Sequence, residues 1–303
     1  GCTNTMAGSV TITINPLPTA FSVTGGGGYC TGGTGVAVGL SGSVVGFTYQ
    51  LWLSTTLVDA EPGTGSGIDF GLQVPAGFYT VVAIDNTTLC TNNMVGSALV
   101  TINPLPTVRT VTGGGNYCVG GTGVHVMLSG STSGVDYQLY RGTTAVGTPV
   151  SGTGLSLDFG VFTTTSTYTV IGTYTGTTCT SNMSGSATIT INPLPATFTV
   201  TGGGSYCAGG SGMLVGLPGS QSGVNYQLYN GSSPLGSPVA GTGAAISFGL
   251  QTAAGTYMVV ATNPGTTCNN TMTGSVTIVV NPLPATITGA TNICVGSSVT
   301  LSS

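Results

Sequence analysis

One tetrapeptide, Asn-Pro-Leu-Pro, recurs along the chain and sets its internal period. It begins at Asn15, Asn103, Asn192 and Asn281, at spacings of 88, 89 and 89 residues. A glycine-rich block ending in Tyr-Cys follows each of the first three copies, and a Tyr-Gln-Leu motif and a second cysteine come later in each period. A period of this length is typical of tandem domains that each bury a core of their own.

The period predicts three complete repeats flanked by parts of two others. The opening residues match the end of a full repeat, since Cys2 and Met6 take the places of Cys179 and Met183. We therefore expect the chain to be a segment of a longer array. The predicted boundaries are 1–18 for the C-terminal part of a preceding immunoglobulin-like repeat, 19–106, 107–195 and 196–284 for the complete repeats, and 285–303 for the start of a further, variant repeat.

The periodicity within a repeat is that of β-strands. β-Branched residues alternate in runs such as 188–191, and no run of ten or more residues has helical spacing. Seven short strands in 89 residues predict an immunoglobulin-like β-sandwich, so the chain is expected to be an all-β tandem array of such domains that forms an extended rod. In the third repeat, the candidate strands lie near residues 198–201, 213–217, 225–229, 238–240, 245–248, 257–262 and 275–280.

Prolines and glycines have distinct predicted roles in this rod. Two prolines stiffen each Asn-Pro-Leu-Pro motif and exclude ladder hydrogen bonds, so the motif is expected to be the joint between domains. The glycine blocks are not nucleotide-binding loops, because strand sequence rather than a helix follows them and the chain contains no lysine. They are expected to allow tight turns and the close approach of neighbouring domains.

The chain carries very few charges. Charged residues make up 3% of it, and Arg109 and Arg141 are the only lysine or arginine residues. Such a surface cannot form the basic groove that binds nucleic acid or the basic patch that attracts an anionic membrane. Membrane insertion is not expected, since no run of eighteen apolar residues is present. Weak charge repulsion favours association with copies of the chain or with neighbouring repeats.

The repeats resemble the immunoglobulin-like and PKD-like repeats of giant surface proteins of Bacteroidota, many of them adhesin-like proteins exported by type IX secretion. The resemblance covers essentially the whole chain and implies the architecture and a place on the bacterial cell surface, where such repeats serve mostly as spacers. The shared motifs are Asn281-Pro282-Leu283-Pro284, Cys294-Val295-Gly296, Val299-Thr300-Leu301, Thr267-Cys268 and Gly255-Thr256-Tyr257.

Eight cysteines, one pair in each complete repeat, predict disulfides formed in an oxidising compartment. Zinc is disfavoured, because there is no Cys-x-x-Cys motif and the cysteines of a repeat lie 60 or 61 residues apart. Pairing within repeats would join Cys30 to Cys90, Cys118 to Cys179 and Cys207 to Cys268.

Strand direction favours pairing between neighbouring repeats. Cys207 precedes the second strand at one end of its domain, whereas Cys268 follows the sixth strand at the other end. A strand of six or seven residues spans roughly 20 Å, while bridged Cα atoms lie within about 7 Å. Within-repeat pairing stays open if the glycine-rich loop folds back over the sheet. The favoured pairs are Cys30 with Cys179 and Cys118 with Cys268, which leaves Cys2, Cys90, Cys207 and Cys294 to bond repeats outside the segment.

No catalytic site, resident metal or cofactor is predicted. The only histidine, His125, is replaced by alanine and leucine in the other repeats, so it is interpreted as a surface residue of a strand rather than a proton shuttle. No carboxylate cluster recurs and none matches a calcium-binding loop. A weak cation site near Asp59, Glu61 and Asp69 is the remaining alternative.

Aromatic side chains are the best candidates for a binding surface. If Leu228 takes a core position, Tyr229 points outward, as do Trp52 and Tyr140 in the other repeats. They could stack on surface glycans or on a neighbouring filament, and the alternative is packing across the strands of the outer face. The tyrosines before the first cysteine of each repeat are expected to fill the domain junction: Tyr29, Tyr117 and Tyr206.

The predicted function is mechanical. Repetition, stiff joints, disulfides and an uncharged surface indicate a structural repeat segment of a bacterial extracellular filament, stalk or adhesin shaft, without catalysis. The alternative is a spacer or glycan-binding immunoglobulin-like array within a large secreted enzyme or carbohydrate-binding protein.

Overall fold

The structure, a computed structural model, describes residues 1–4, 6–289 and 292–302. Every regular element in this part of the chain is a β-strand, and no helix there is long and apolar enough to cross a membrane. The chain forms two compact units. The first comprises residues 1–112, 127–159 and 168–186, and the second comprises 113–126, 160–167 and 187–303.

Each of the three repeats contains nine strands. In the first repeat they are β1 (Val23–Gly25), β2 (Gly27–Cys30), β3 (Val36–Leu40), β4 (Phe47–Leu53), β5 (Thr56–Pro62), β6 (Ile68–Gln73), β7 (Gly77–Asp85), β8 (Thr91–Asn93) and β9 (Ala98–Asn103). In immunoglobulin notation these are A, A′, B, C, C′, E and F, followed by G in two segments, β8 and β9.

The same order recurs in the other repeats. The second has β10 (Val111–Gly113), β11 (Gly115–Cys118), β12 (Val124–Leu128), β13 (Val135–Arg141), β14 (Thr144–Ser151), β15 (Leu157–Phe162), β16 (Ser166–Tyr174), β17 (Thr180–Asn182) and β18 (Ala187–Asn192). The third has β19 (Thr201–Gly202), β20 (Gly204–Cys207), β21 (Met213–Leu217), β22 (Asn225–Asn230), β23 (Ser233–Ala240), β24 (Ile246–Gln251), β25 (Gly255–Thr262), β26 (Asn269–Thr271) and β27 (Val276–Asn281).

Two sheets form each sandwich. In the first repeat a three-stranded sheet has the order β1-β3-β6, and the other sheet has the order β2-β9-β7-β4-β5, with β8 paired to β7. Strand A′ runs parallel to G, whereas the neighbours of strand F are antiparallel to it. The strand orders of the second and third repeats are the same. The predicted all-β tandem array of immunoglobulin-like sandwiches is confirmed.

The hydrophobic core of a repeat lies between its sheets. Tyr49 and Leu51 alternate along β4 and are both fully buried, together with Val38 on β3 and Tyr79 on β7. The tyrosine of each Tyr-Gln-Leu motif accepts a hydrogen bond from a backbone N–H five residues upstream, so its buried hydroxyl is satisfied. These bonds are Val44 to Tyr49 at 2.9 Å, Thr132 to Tyr137 at 2.9 Å and Gln221 to Tyr226 at 2.8 Å.

A second tyrosine fixes the corner between strands E and F. The Tyr79 hydroxyl donates to the carbonyl oxygen of Pro75 at 2.8 Å, four residues upstream, and Tyr257 donates to Ala253 at 2.7 Å. Both side chains are fully buried at the start of strand F. A tyrosine that bonds back to the backbone at this corner is a feature of immunoglobulin-type sandwiches.

The glycine-rich block carries the chain from one sheet to the other. Gly25, the last residue of β1, and Gly26, between β1 and β2, have φ angles of 85° and 79°. A Cβ atom at Gly25 would lie 2.1 Å from the carbonyl oxygen of Ala37, and one at Gly26 would lie 2.7 Å from that of Leu99. At these two glycines the close approach is between strands of one repeat rather than between neighbouring domains, and the block also forms strand A′, which was not predicted.

Sequence periodicity located most strands of the third repeat but missed two. β20 is absent from the prediction because Gly204–Cys207 shows no alternation of apolar residues. β26 is three polar residues, Asn269–Thr271, paired to β25 ahead of the break in strand G. Strand C′ begins at Ser233, five residues earlier than predicted.

We expect Gly203→Ala to lower the free energy of unfolding of the third repeat by about 2 kcal/mol or more. Alanine is strained at a φ of 74°, and its Cβ would lie 2.9 Å from the carbonyl oxygen of Thr277. Gly176→Ala is the control, because a Cβ atom there would meet no heavy atom within 4 Å beyond its chain neighbours, and the φ of Gly176 is not positive. Urea unfolding measures both variants, and equal effects would contradict the crossover argument.

Stability should also fall in alkaline solution. Burial raises the pKa of Tyr79 and Tyr257, and a neighbouring tyrosine adds to the shift in each case. Because the unfolded chain loses these protons at lower pH than the folded chain, the stabilisation is complete below about pH 10 and is lost as the pH rises through the folded pKa. Unfolding free energies measured between neutral pH and pH 11 should show this decline. Tyr79→Phe with Tyr257→Phe should make it shallower, and an unchanged slope would refute the assignment.

Candidate functional site: the inter-repeat disulfide bridges

The first cysteine of each repeat, which we call the early cysteine, ends strand A′. Cys30 pairs in register with Asn103, the last residue of strand G and the first of Asn-Pro-Leu-Pro. The next residue, Thr31, donates its backbone N–H to the Asn103 carbonyl at 2.9 Å. The parallel A′–G pair thus fixes the early cysteine where the chain leaves the repeat. The same register joins Cys118 to Asn192 and Cys207 to Asn281.

The second cysteine of each repeat, the late cysteine, lies in the loop after strand F. Asp85, at the end of β7, donates its backbone N–H to the Cys90 carbonyl at 2.9 Å. Leu89, just before this cysteine, has a φ of 60°. The other repeats keep both features, with hydrogen bonds from Tyr174 to Cys179 and from Asn263 to Cys268 and with positive φ at Thr178 and Thr267. One loop conformation therefore presents all three late cysteines.

The early and late cysteines of one repeat lie at opposite ends of strand F. Val100 of β9 is opposite both Gly27 of β2 and Gly77 of β7. Cys30 lies three residues further along β2 than Gly27 and therefore beyond the level at which β7 begins. Cys90, in contrast, follows the other end of β7. The nine residues of β7 span about 26 Å, far beyond the roughly 7 Å reach of a disulfide. A bridge within the repeat would require the sandwich to unfold.

Two disulfides join neighbouring repeats. Cys30 is bonded to Cys179 and Cys118 to Cys268, each pair with a Cα–Cα distance of 5.6 Å. Each bridge connects the early cysteine of one repeat to the late cysteine of the next, and each lies within one compact unit. Cys179 and Cys268 are 1% and 0% exposed, so solvent reaches these sulfur atoms poorly.

The other four cysteines are unpaired in the structure. Cys2, Cys207 and Cys294 are exposed, and Cys90 is half-buried. Cys207 ends strand A′ like the bonded early cysteines, and Cys90 occupies the same loop as the bonded late ones. Their bonding to repeats outside the segment stays a prediction.

The joint is anchored in the repeat that follows it. The last proline of the first three motifs is buried, and the Asn92 side chain donates its Nδ2–H to the carbonyl oxygen of Pro18 at 2.8 Å. Asn270 makes the same bond to Pro195 at 2.8 Å. Sequence reasoning missed these asparagines, although their recurrence at one position of the first and third repeats was a usable signal.

The outward aromatic residues are less exposed than a binding surface requires. Leu51, Leu139 and Leu228 are buried, and Trp52, Tyr140 and Tyr229 on the opposite face are half-buried. In register, Tyr229 lies opposite Met258 of strand F and Pro234 of strand C′. This arrangement favours packing across the outer face over a sugar-stacking platform.

The tyrosines before the early cysteines bond within their own repeat. The Tyr117 hydroxyl donates to the carbonyl oxygen of Thr163 at 2.6 Å, in the loop between strands E and F. Tyr29 and Tyr206 donate to Val74 and Thr252 in the same way. The expectation that these side chains fill the domain junction therefore gives way to a role in holding strand A′ to its own domain.

A cleft of about 450 Å³ opens between strands C′ and E of the third repeat. Leu228, Leu235, Val239 and Phe248 form its apolar lining. Phe248 is half-buried, whereas the equivalent Phe70 of the first repeat is 5% exposed. No charged side chain occurs after residue 192, so an ionic ligand has no counter-charge here.

The charged side chains do not form a site in the part of the chain that the structure describes. His125 is exposed on β12, as predicted for a surface residue. No group of three or more His, Cys, Asp or Glu side chains among the described residues could hold a metal ion, so Asp59, Glu61 and Asp69 are not brought together. Asp59 and Asp69 each accept a local backbone N–H instead, from Ala60 and Gly71.

No protein-family model matches the chain, and no curated protein matches it. Among solved structures, it is similar to immunoglobulin domains 1–5 of Sidekick-1 at 13% identity and a TM-score of 0.32, over 80% of this chain and 54% of that chain. It is similar to the mouse nectin-like molecule 4 ectodomain, Ig1–Ig3, at 11% identity and a TM-score of 0.33, over 86% and 99%. Chicken CNTN1 FN1–FN3 gives 12% identity and a TM-score of 0.31, over 87% and 100%. The chain thus spans about half the length of the Sidekick-1 chain.

Removing one bridge should destabilise the protein. The Cys30–Cys179 bridge closes a loop with a sequence separation of 149 residues, for which loop-closure entropy gives up to about 5 kcal/mol. We therefore expect Cys30→Ser with Cys179→Ser to lower the urea midpoint of the first two repeats. Cys2→Ser is the matched control, because Cys2 is exposed and unpaired. Equal midpoints for the double variant and the control would contradict a structural role for the bridge.

Proposed function

We propose that this chain is a load-bearing segment of a bacterial extracellular filament, stalk or adhesin shaft and has no catalytic activity of its own. The observation that carries the proposal is the pair of bridges, which join the end of strand A′ in one repeat to the loop after strand F in the next. A bridge at this place couples domains, whereas a disulfide inside a sandwich would stabilise only one domain.

The bridges also support an extracellular location. Disulfides persist in oxidising compartments, and four cysteines of the segment are already paired. Cys90 and Cys207, on the late and early positions of their repeats, would bond flanking repeats of a longer array. The resemblance to surface repeats of Bacteroidota fits a place on the bacterial cell surface.

The surface is suited to self-association. With 3% charged residues, repulsion between copies is weak. Apolar side chains on the outer face of the three-stranded sheet are exposed, for example Leu214 opposite Leu250, which are 51% and 56% exposed. Copies of the chain or neighbouring repeats are therefore the proposed partners. The alternative, a spacer or glycan-binding array in a larger secreted protein, has weaker support because the outward aromatics are half-buried.

Electron microscopy tests the proposal. The oxidised 303-residue chain should give elongated particles, and a tandem duplication should be about twice as long. Association measured by sedimentation should rise with concentration and change little with salt, because few charges are available for screening. Compact particles whose length does not grow on duplication would refute a shaft. Binding of the isolated chain to a glycan array would favour the alternative.

A further inference from the structure

The two bridges overlap along the sequence. The first joins Cys30 to Cys179 and the second joins Cys118 to Cys268, with sequence separations of 149 and 150 residues. Each separation exceeds the repeat period of 88 or 89 residues. Every peptide bond between residues 30 and 268 is therefore enclosed by at least one covalent loop, and those between 118 and 179 are enclosed by both.

Pairing within repeats would not have this property. Bridges from Cys30 to Cys90 and from Cys118 to Cys179 would leave residues 91–117 outside any loop. That interval contains the joint Asn103–Pro106 and strand β10, Val111–Gly113. The pairing between repeats thus encloses the segments that the other pairing would leave open.

The joints are the places where an array of domains is most easily cut. Pro104 and Leu105 are exposed and lie outside the ladders of both neighbouring repeats. Leu194, in the next joint, is 36% exposed. Exposed backbone without ladder hydrogen bonds is the preferred substrate of proteases, whereas strands inside a sandwich are protected.

We propose that the overlapping bridges are a second covalent path along the protein, which holds the array together after its backbone is cut at a joint. A cut in the joint at 103–106 leaves the pieces connected through Cys30–Cys179, and a cut in the joint at 192–195 leaves them connected through Cys118–Cys268. This function goes beyond the proposed shaft, because it concerns survival in a protease-rich environment rather than assembly.

The position of the sulfur atoms supports this function. A second path is useful only if it outlasts the first, and thiol–disulfide exchange requires a thiolate to reach a sulfur atom. Cys179 and Cys268 are 1% and 0% exposed, and their partners Cys30 and Cys118 are half-buried, so the folded domains restrict access to both bridges. The exposed part of the joint is thus its cleavable backbone, and the better-protected part is its disulfide.

Complete tryptic digestion tests the topology, because Arg109 and Arg141 are the only cleavage sites. Free thiols are alkylated, and the oxidised chain is then digested in urea without reductant. We expect one species with the mass of the intact, alkylated chain plus two water molecules. Reduction should release the peptides 1–109, 110–141 and 142–303. Release of 1–109 before reduction would overturn the proposal.

Two double variants, each lacking one bridge, test separately which peptide each bridge holds. Cys30→Ser with Cys179→Ser should release only 1–109 from the unreduced digest. Cys118→Ser with Cys268→Ser should release only 110–141. Release of the same peptide from both variants, or of none, would contradict the overlapping arrangement.

A single cut under native conditions tests the function itself. A triple variant with Arg109→Gln, Arg141→Gln and Ala196→Arg has one tryptic site, in the exposed segment just after the joint at 192–195. The nicked, oxidised protein should keep its elution volume and melting temperature, and should separate into two pieces on a denaturing gel only after reduction. A nicked protein that unfolds or separates without reductant would overturn the proposal, whereas the shaft itself is tested independently by particle length.

Discussion

The parallel pairing of strand A′ with strand G is the constraint on which the bridges depend. It places the early cysteine opposite the asparagine that begins the joint, so the sulfur lies where one repeat gives way to the next. A parallel neighbour cannot be reached by a hairpin, and strand A′ reaches G only because the chain changes sheets after strand A. Without this pair, the early cysteine would lie on an unrestrained loop.

The change of sheet explains the glycine block, the strongest compositional signal in the repeat. Two consecutive residues with positive φ approach the carbonyl oxygens of strands B and G, as Gly202 and Gly203 approach those of Leu214 and Thr277. A side chain would collide with backbone that cannot yield, since both contacted strands belong to the sheets. The glycines are therefore required for the position of Cys207, four residues after Gly203.

Sequence alone predicted the fold class because apolar alternation marks the strands that bury one face, such as Met213–Leu217 and Asn225–Asn230. It could not predict β20, whose place is determined by backbone register with β27 rather than by side chains. Recurrence drew attention to the cysteines, and strand direction argued against pairing within a repeat. The anchoring by Asn92 was missed because a hydrogen bond to a proline carbonyl has no sequence motif of its own, and only the recurrence of Asn92 and Asn270 indicates it.

The scarcity of charge gives the bridges their importance. Domains of ordinary composition can be coupled by ion pairs across a joint, but with 3% charged residues this chain has few to offer. A hydrogen bond such as that from Asn270 to Pro195 contributes only about 1 kcal/mol, and two prolines limit bending without resisting separation. The disulfide is a covalent link between the repeats, so its strength does not depend on paired charges. The scarcity of charge belongs to the surface side chains, whereas the covalent coupling between repeats belongs to the cysteines, so the two properties come from different atoms.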